Sequence, residues 1–509
     1  MQTLRQLVLA SGFKMRRKVF TQTFCQEKYK RYSTTPPGVK AEQQFSIPKG
    51  ILGQPTCHTH PHMIGPGQLT CGITQAEYRE RRETLVAKLL AESQDAHKNH
   101  IIVIPAACKQ YMSDKIPYTF RQNSDFYYLT GCLEPSAVLV ILKTPQTEDF
   151  KSILFVHDKD AQAELWEGPR SGCAAAARLF AVDEARPVES FQNFLNKTTA
   201  SSRSTLWYHS ESPANPELHP SIRASLRDST TLADPQRSLH FMRVIKSPAE
   251  IELMRETCYV GAQAINMAMA CTKPGISESI VQAVLDYSCR QAGAEHPAFP
   301  PVVAGAARAT HIHYVANNQL LGDGDLLLVD SGSQRWLYNS DISRTWPVSG
   351  HYSKHQRILY ELVLAVQKRL IELLSEYRPP LDQLFDSMCR LLGQHLQQEG
   401  ILPRNIDGNE LIGKAYRLCP HHVSHYLGLD VHDTPLVRRS QPVTSGMVVT
   451  VEPGIYIRPD DDSVPIEFRG CGVRVEDDVL LTDAGADVLT ALCVKEVADV
   501  EAIVGKHSL

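Results

Sequence analysis

The sequence predicts two domains: an α/β unit, then a larger unit built from two similar halves. Three observations carry this. A chain of 509 residues is too long for one ordinary hydrophobic core. Up to about residue 240, short apolar strands alternate with helices, the pattern of an α/β layer. Beyond that point the order helix, helix, strands occurs twice, about 100 residues apart, as internal repetition does.

The elements follow in order. Before Ser33 the chain carries Arg5, Lys14, Arg16, Arg17, Lys18, Lys28, Lys30 and Arg31 against one acid, Glu27. Leu4, Leu7, Val8 and Phe13 can share a helical face, so residues 1–32 read as a mitochondrial transit peptide. The alternative is a basic tail on a cytoplasmic protein. Residues 33–69 are rich in Pro and Gly and read as an extension strapped over the surface. Within it, Cys57, His58, His60 and His62 fit no common zinc spacing. The first domain spans 70–240. Thr74 and Glu77 form a capping box for a helix through Leu85 and Leu89. The basic run Arg79 to Arg82 reads as a solvated helix face. Strands are expected at 101–104, 136–142 and 153–156.

The second domain spans 241–500. Ser247, Pro248 and Glu250 open a helix as N-cap, first-turn proline and returning acid. It stops before Lys273-Pro274-Gly275, and a second helix ends at Gly293. Strands are expected at 301–304, 325–330 and 338–346. Ser353 and Gln356 then cap a further helix, residues 381–398 form another, and Gly400 ends it. Strands at 447–452 and 472–481 complete the second half.

Composition narrows the function. A net charge of -3 offers no basic field for nucleic acid. No apolar run approaches the roughly 18 residues of a membrane span, and residues 259–271 read as a core helix. The 13 cysteines are an odd number without any C-x-x-C pair. That usage fits a reducing compartment and buried thiols.

Asp330, Asp341, His425, Glu452 and Glu476 stand in the frames VDSG, SDIS, HHVSH, VEPGIY and VRVEDD. Taken singly, each has a plain structural reading. The Asp pair could serve a turn, Glu476 could pair with Arg474 on the same strand face, and His425 could be a core histidine. Together, four carboxylates and one imidazole make a hard, oxygen-rich site able to hold two divalent ions with a bridging hydroxide. If the strands around Asp330 and Asp341 form a hairpin, their carboxylates face each other, and cations resolve the repulsion.

The stretches HHVSHYLGLDVHD, VTVEPGIYI, FRGCGVRVEDD and LLLVDSGSQRWLYNSDISRTWPVSG resemble the aminopeptidase P branch of the pita-bread metallopeptidases. The likeness covers about residues 70–495. It implies an α/β N-terminal domain followed by an α+β pita-bread domain with pseudo-twofold halves. It implies that Asp330 binds one metal, that Asp341 and Glu476 bridge both, and that His425 and Glu452 complete the second. The implied cofactor is a pair of divalent ions, Mn²⁺ above Co²⁺ or Zn²⁺. His313 in HIHY would assist the leaving group, and His421 and His432 would contact substrate and the developing oxyanion. Glu452 would act as general base. Arg474 and Tyr456 match further active-site positions, and Phe299 in HPAFPPVVAG would line the pocket. The five ligands would share the substrate site with Phe299, His432 and Tyr456. Trp166 in ELWEGPRSG matches a loop that approaches a neighbouring subunit, and the implied assembly is a homodimer. His422 and Pro169 depart from the family pattern without touching a ligand.

The implied reaction is hydrolysis of an N-terminal Xaa-Pro bond in peptides. That bond is a tertiary amide without an N–H. The rivals are a prolidase, which cleaves dipeptides on the same fold, and a non-catalytic binding module, which would lack the ligands.

Overall fold

The computed structural model describes residues 46–93, 97–201 and 203–507. The basic start read as a transit peptide, and residues 33–45 of the extension, lie outside the described residues. The chain divides into two units, the first ending at Ala233 and the second beginning at Asp234. Helix Gln236–Arg243 goes with the second because Arg243 is buried there on Asp430 and Asp433.

The main sheet of the first unit is built from β1 (Asn99–Pro105), β2 (Val138–Lys143), β3 (Lys151–Val156), β4 (Glu184–Pro187), β5 (Ser204–Trp207) and β6 (Thr230–Ala233). They form one sheet in the order β6-β5-β1-β2-β3-β4. β2 runs antiparallel to both its neighbours. Alternate residues set one face: Ile101, Val103, Val138, Val140, Ile153 and Phe155 pack on Phe191 and Leu195, as the strand period of two requires. The opposite series, including Ile102, Leu139 and Leu154, is buried as well. Ahead of the sheet, α1 (Gln75–Glu92) starts at Thr74, whose side chain accepts from the Glu77 N–H. The basic run on this helix is not solvated as expected: Arg81 is 5% and Arg82 0% exposed. They donate to the Tyr128 and Leu129 carbonyls, at the C-terminal end of helix Ser124–Thr130, where backbone acceptors are unfilled and cations are favoured. Residues 46–69 of the extension are strapped on this unit. Gln54 donates to the Gly131 carbonyl and accepts from the Leu133 N–H. His58 meets the Ile47 carbonyl, and the segment contributes no metal-ligand cluster among the described residues.

The second unit begins with α2 (Pro248–Cys271), capped by Ser247 and Glu250 in a complete capping box. α3 (Glu278–Gln291) follows, with Ser277 as N-cap. Strands β7 (Val302–Gly305), β8 (Leu326–Ser331) and β9 (Ile342–Pro347) form an antiparallel sheet in that order. The plan then repeats. α4 (Lys354–Tyr377) has its own capping box at Ser353 and Gln356, and α5 (Leu381–Gln398) follows. Helix Gly408–Leu418, which the periodicity did not suggest, comes before the second sheet. That sheet orders β10 (Val448–Val451), β13 (Asp477–Thr482) and β14 (Gly485–Val488), with the ribbon of β11 (Gly454–Tyr456) and β12 (Gly472–Arg474) inserted. Both halves share one core, in which Ile265, Leu285, Val363 and Leu392 of the helices meet Val329, Ile342, Val449 and Val479 of the sheets. Among the described residues no helix is long and apolar enough to cross a membrane.

Two strands expected to be continuous are broken, and both breaks hold a candidate ligand. The expected strand 338–346 is interrupted at Ser340-Asp341. Tyr338–Asn339 pairs with Ser333–Arg335, whereas β9 pairs with β8. The expected strand 472–481 is interrupted at Val475-Glu476. β12 pairs with β11 and β13 with β10. The partner strand breaks at Glu452-Pro453 in step with it, and the Val475 N–H reaches the Pro453 carbonyl. Each half therefore changes its pairing partner next to a carboxylate.

A candidate metal centre between the two halves

Each candidate side chain is fixed by the element that ends beside it. Asp330 lies near the end of β8, opposite Ser343 of β9, so Asp341 sits two residues before its cross-strand partner. Glu452 follows β10 directly, and Glu476 precedes β13, whose Asp477 pairs with Val451. His425 comes from a loop laid on β10: its N–H donates to the Thr450 hydroxyl (3.1 Å), and its carbonyl accepts from the Thr450 N–H (3.0 Å).

The donor atoms of Asp341, His425 and Glu476 lie within 4.8 Å of one another, and all three residues are buried. His425 Nε2 is 3.4 Å from Asp341 Oδ2 and 3.8 Å from Glu452 Oε1. The other ring nitrogen, Nδ1, is 3.1 Å from the Tyr426 carbonyl. A carbonyl only accepts, so Nδ1 carries the proton and Nε2 turns a bare lone pair toward the carboxylates. A lone pair and a carboxylate oxygen at that separation call for a proton or a metal cation between them, and this is the tautomer of a metal-ligating histidine.

The carboxylates carry the same strain. Burial, with the charges of Asp330, Asp478 and Glu452, holds Asp341 well above the usual carboxylate range. Burial, with Asp341, Glu452 and Asp330, does the same to Glu476. Burial pushes Glu452 up to about 6, against the opposing pull of Arg474. Asp330 Oδ1 is buried without a hydrogen-bond partner among the described residues, while Oδ2 accepts from Arg474 Nη2 at 2.8 Å. Four crowded carboxylates, one orphaned oxygen and one imidazole lone pair fit divalent cations.

Arg474 does not pair with Glu476 directly, although the two were expected to share a strand face. Its Nε donates to the Ser343 hydroxyl (2.7 Å), and Ser343 donates to Glu476 Oε2 (2.7 Å). Its Nη1 donates to the Tyr456 hydroxyl (2.7 Å). His421 Nδ1 lies 2.9 Å from the His422 carbonyl, which leaves Nε2 to accept from Tyr456 at 2.9 Å. His432 stacks edge-on to His425 with centroids 4.6 Å apart. Burial, with the charge of Arg439, lowers its pKa, so it is neutral at pH 7. His313 is exposed, between Ile312 and Tyr314, which pack on an apolar cluster that includes Tyr456. Phe299 is half-buried just ahead of β7. Trp166 belongs to the first unit, where it is 80% exposed.

Several contributors escaped the sequence reading. Ser343 links Arg474 to Glu476. Asp478 accepts from the Asp341 N–H (3.0 Å) and is pushed up to about 7 by burial. Its signal was the second Asp of VRVEDD. A cavity of about 550 Å³ opens beside His425 and His432, walled by Asp382, Tyr426, Arg438 and Arg439.

Residues 252–483 match the metallopeptidase family M24, and residues 78–207 match the aminopeptidase P N-terminal domain. Human Xaa-Pro aminopeptidase 3 is 41% identical over 487 residues, covering 94% of this chain and 94% of that protein. This chain belongs to the aminopeptidase P branch of the M24 metallopeptidases. The second unit is accordingly a pita-bread domain, and its two half-sheets meet around the site. The mitochondrial intermediate cleaving peptidase 55 of Arabidopsis thaliana is 36% identical, over 90% of this chain and 88% of that one. Zinc-substituted Escherichia coli aminopeptidase P in complex with product superimposes with a TM-score of 0.77 at 33% identity, over 85% of this chain and 98% of that one. The family works with divalent ions, and the Asp341–His425–Glu476 cluster is this chain's candidate site for them.

Proposed function

We propose that this chain is an Xaa-Pro aminopeptidase of mitochondria that works with two divalent ions, Mn²⁺ being the best match. The observation that carries the reading is the His425 lone pair turned into three carboxylates, in a chain 41% identical to a protein named for that activity. Asp330 would hold one ion, Asp341 and Glu476 both, and His425 and Glu452 the second. Bound there, the ions supply a nucleophile at neutral pH and polarise the scissile carbonyl.

The chain's own residues do the rest. Glu452 takes up the proton lost by the attacking water at a carboxylate oxygen. The neutral ring of His432 donates to the developing oxyanion. His313 attends the departing proline nitrogen, which has no proton of its own. Arg474 pins Asp330 and, through Ser343, Glu476. His421 orients the Tyr456 hydroxyl. Phe299 and the cavity beside His432 line the substrate path.

The exposed Trp166 supports the homodimer reading, because such a side chain is free to meet a second copy. The basic start and the mitochondrial relative support the location. A second reading has support from the relatives named intermediate cleaving peptidase: the substrates would be cleavage intermediates, a name that does not require proline at the second position.

The test is turnover of four peptides with added Mn²⁺ and after chelation: an Xaa-Pro tripeptide, an Xaa-Pro dipeptide, Met-Ala and a proline-free intermediate. Metal-dependent release from the tripeptide, lost in Asp341→Ala and Glu476→Ala, is expected. Cleavage of the dipeptide alone would make the chain a prolidase. Preference for the proline-free peptide would favour the second reading, and binding without turnover would leave a scaffold.

A further inference from the structure

The segment that carries His313 leaves β7 at Gly305 and reaches Leu321 ahead of β8. Its first residues, Ala306–Thr310, form a 3-10 turn, and its middle has no regular structure. One carboxylate ties both of its legs. Glu278, the first residue of α3, is fully buried. Its Oε1 accepts from the Gly305 N–H (2.9 Å) and Arg308 Nε (2.7 Å). Its Oε2 accepts from the Tyr314 hydroxyl (2.8 Å) and the Gln319 N–H (3.0 Å). The Glu278 N–H in turn donates to the Gln319 carbonyl (2.9 Å).

The four donors bracket His313, two from before it and two from after it. An acid in the first turn of a helix ordinarily serves its own helix end. Here both oxygens are spent on the loop. Asn317 adds a second tie: Oδ1 accepts from the Val303 N–H (3.0 Å), and Nδ2 donates to the Pro301 carbonyl (2.8 Å). The neighbours of His313 are thereby pressed on the cluster of Val302, Ala304, Ala309, Leu328 and Tyr456.

We propose that Glu278 is a positioning residue for the active site: it closes the 305–319 loop on four donors and so holds His313 at the substrate. This rests on the role given to His313 above. Glu278 touches neither ligand nor substrate, so its effect must pass through the loop.

The test uses the full-length, metal-loaded enzyme. Glu278→Gln and Tyr314→Phe are made with His313 intact and with His313→Ala. kcat and KM on the tripeptide are measured with hydrogen exchange of the 305–319 amides. Glu278→Gln should speed that exchange and lower kcat/KM about tenfold or more, because a small misplacement of a reacting group is costly. The loss should nearly vanish in the His313→Ala background. Tyr314→Phe, which keeps the carboxylate and its other donors, should show a smaller loss of the same kind, and it carries the test if Glu278→Gln does not fold. An equal loss in both backgrounds, or unchanged exchange, overturns the proposal. A fully active His313→Ala would instead overturn the role of that histidine, and the exchange result alone would then decide whether Glu278 holds the loop.

Discussion

With its Nδ1 proton on the Tyr426 carbonyl, His425 leaves a lone pair facing Asp341 and Glu452, and every neighbouring side chain is arranged around that conflict. Ser343 is the smallest of them and has a large share, since its hydroxyl accepts from Arg474 and donates to Glu476. Ser343→Ala should lower metal affinity roughly tenfold, as removal of outer-shell partners does, with the fold intact. Isothermal titration with Mn²⁺ would measure it, and unchanged affinity would remove Ser343 from the site. At this scale the candidate ligands were legible in the sequence, because each lies in a short frame of Gly, Pro or apolar neighbours. Ser343 and Asp478 were not. The contact of Ser343 spans 133 residues and that of Asp478 spans 137, and no local pattern carries such pairings.

Strand breaks do at the level of elements what side chains do within the site. Asp341 and Glu476 lie where a strand exchanges one partner for another, and a residue freed from the ladder can turn its carboxylate inward. Gly332 allows the first break, since a Cβ there would run into the Ser340 carbonyl. Gly332→Ala should therefore cost about 2 kcal/mol by overpacking and weaken metal binding without changing a ligand. Denaturant melts with and without Mn²⁺ would separate the two effects. The α3 terminus has a pH signature of its own. Burial alone would raise the Glu278 pKa, yet the N–H groups of Gly305 and Gln319, with Arg308 and Tyr314, hold it below the ordinary range. Its contribution is full above the unfolded value of about 4.3 and is lost as pH falls through the lower folded value. Exchange of the 305–319 amides should accelerate in that acid window and not above pH 5.

For the molecule as a whole, metal and protons compete for the same carboxylates. Asp341 and Glu476 are held well above their ordinary values, Glu452 is pushed up to about 6 and Asp478 to about 7. A carboxyl with a raised folded pKa contributes most below its unfolded value, and that contribution is lost as pH rises through the folded one. The chelated protein should thus lose stability between about pH 4 and pH 7, and the gain in Tm on adding Mn²⁺ should grow over the same window. Thermal melts across that range would measure it; a gain independent of pH would mean that the ions displace no protons. The two-halved plan, the helix caps at Ser247 and Ser353 and the five candidate ligands were legible in the sequence itself, because caps, periodicity and ligand frames are local. Tertiary structure alone decided where the strands break, which Arg474 partner is direct, that Arg82 is buried, and that Glu278 serves a loop rather than its own helix. Each of those depends on a partner distant along the chain, and only folding brings the two together.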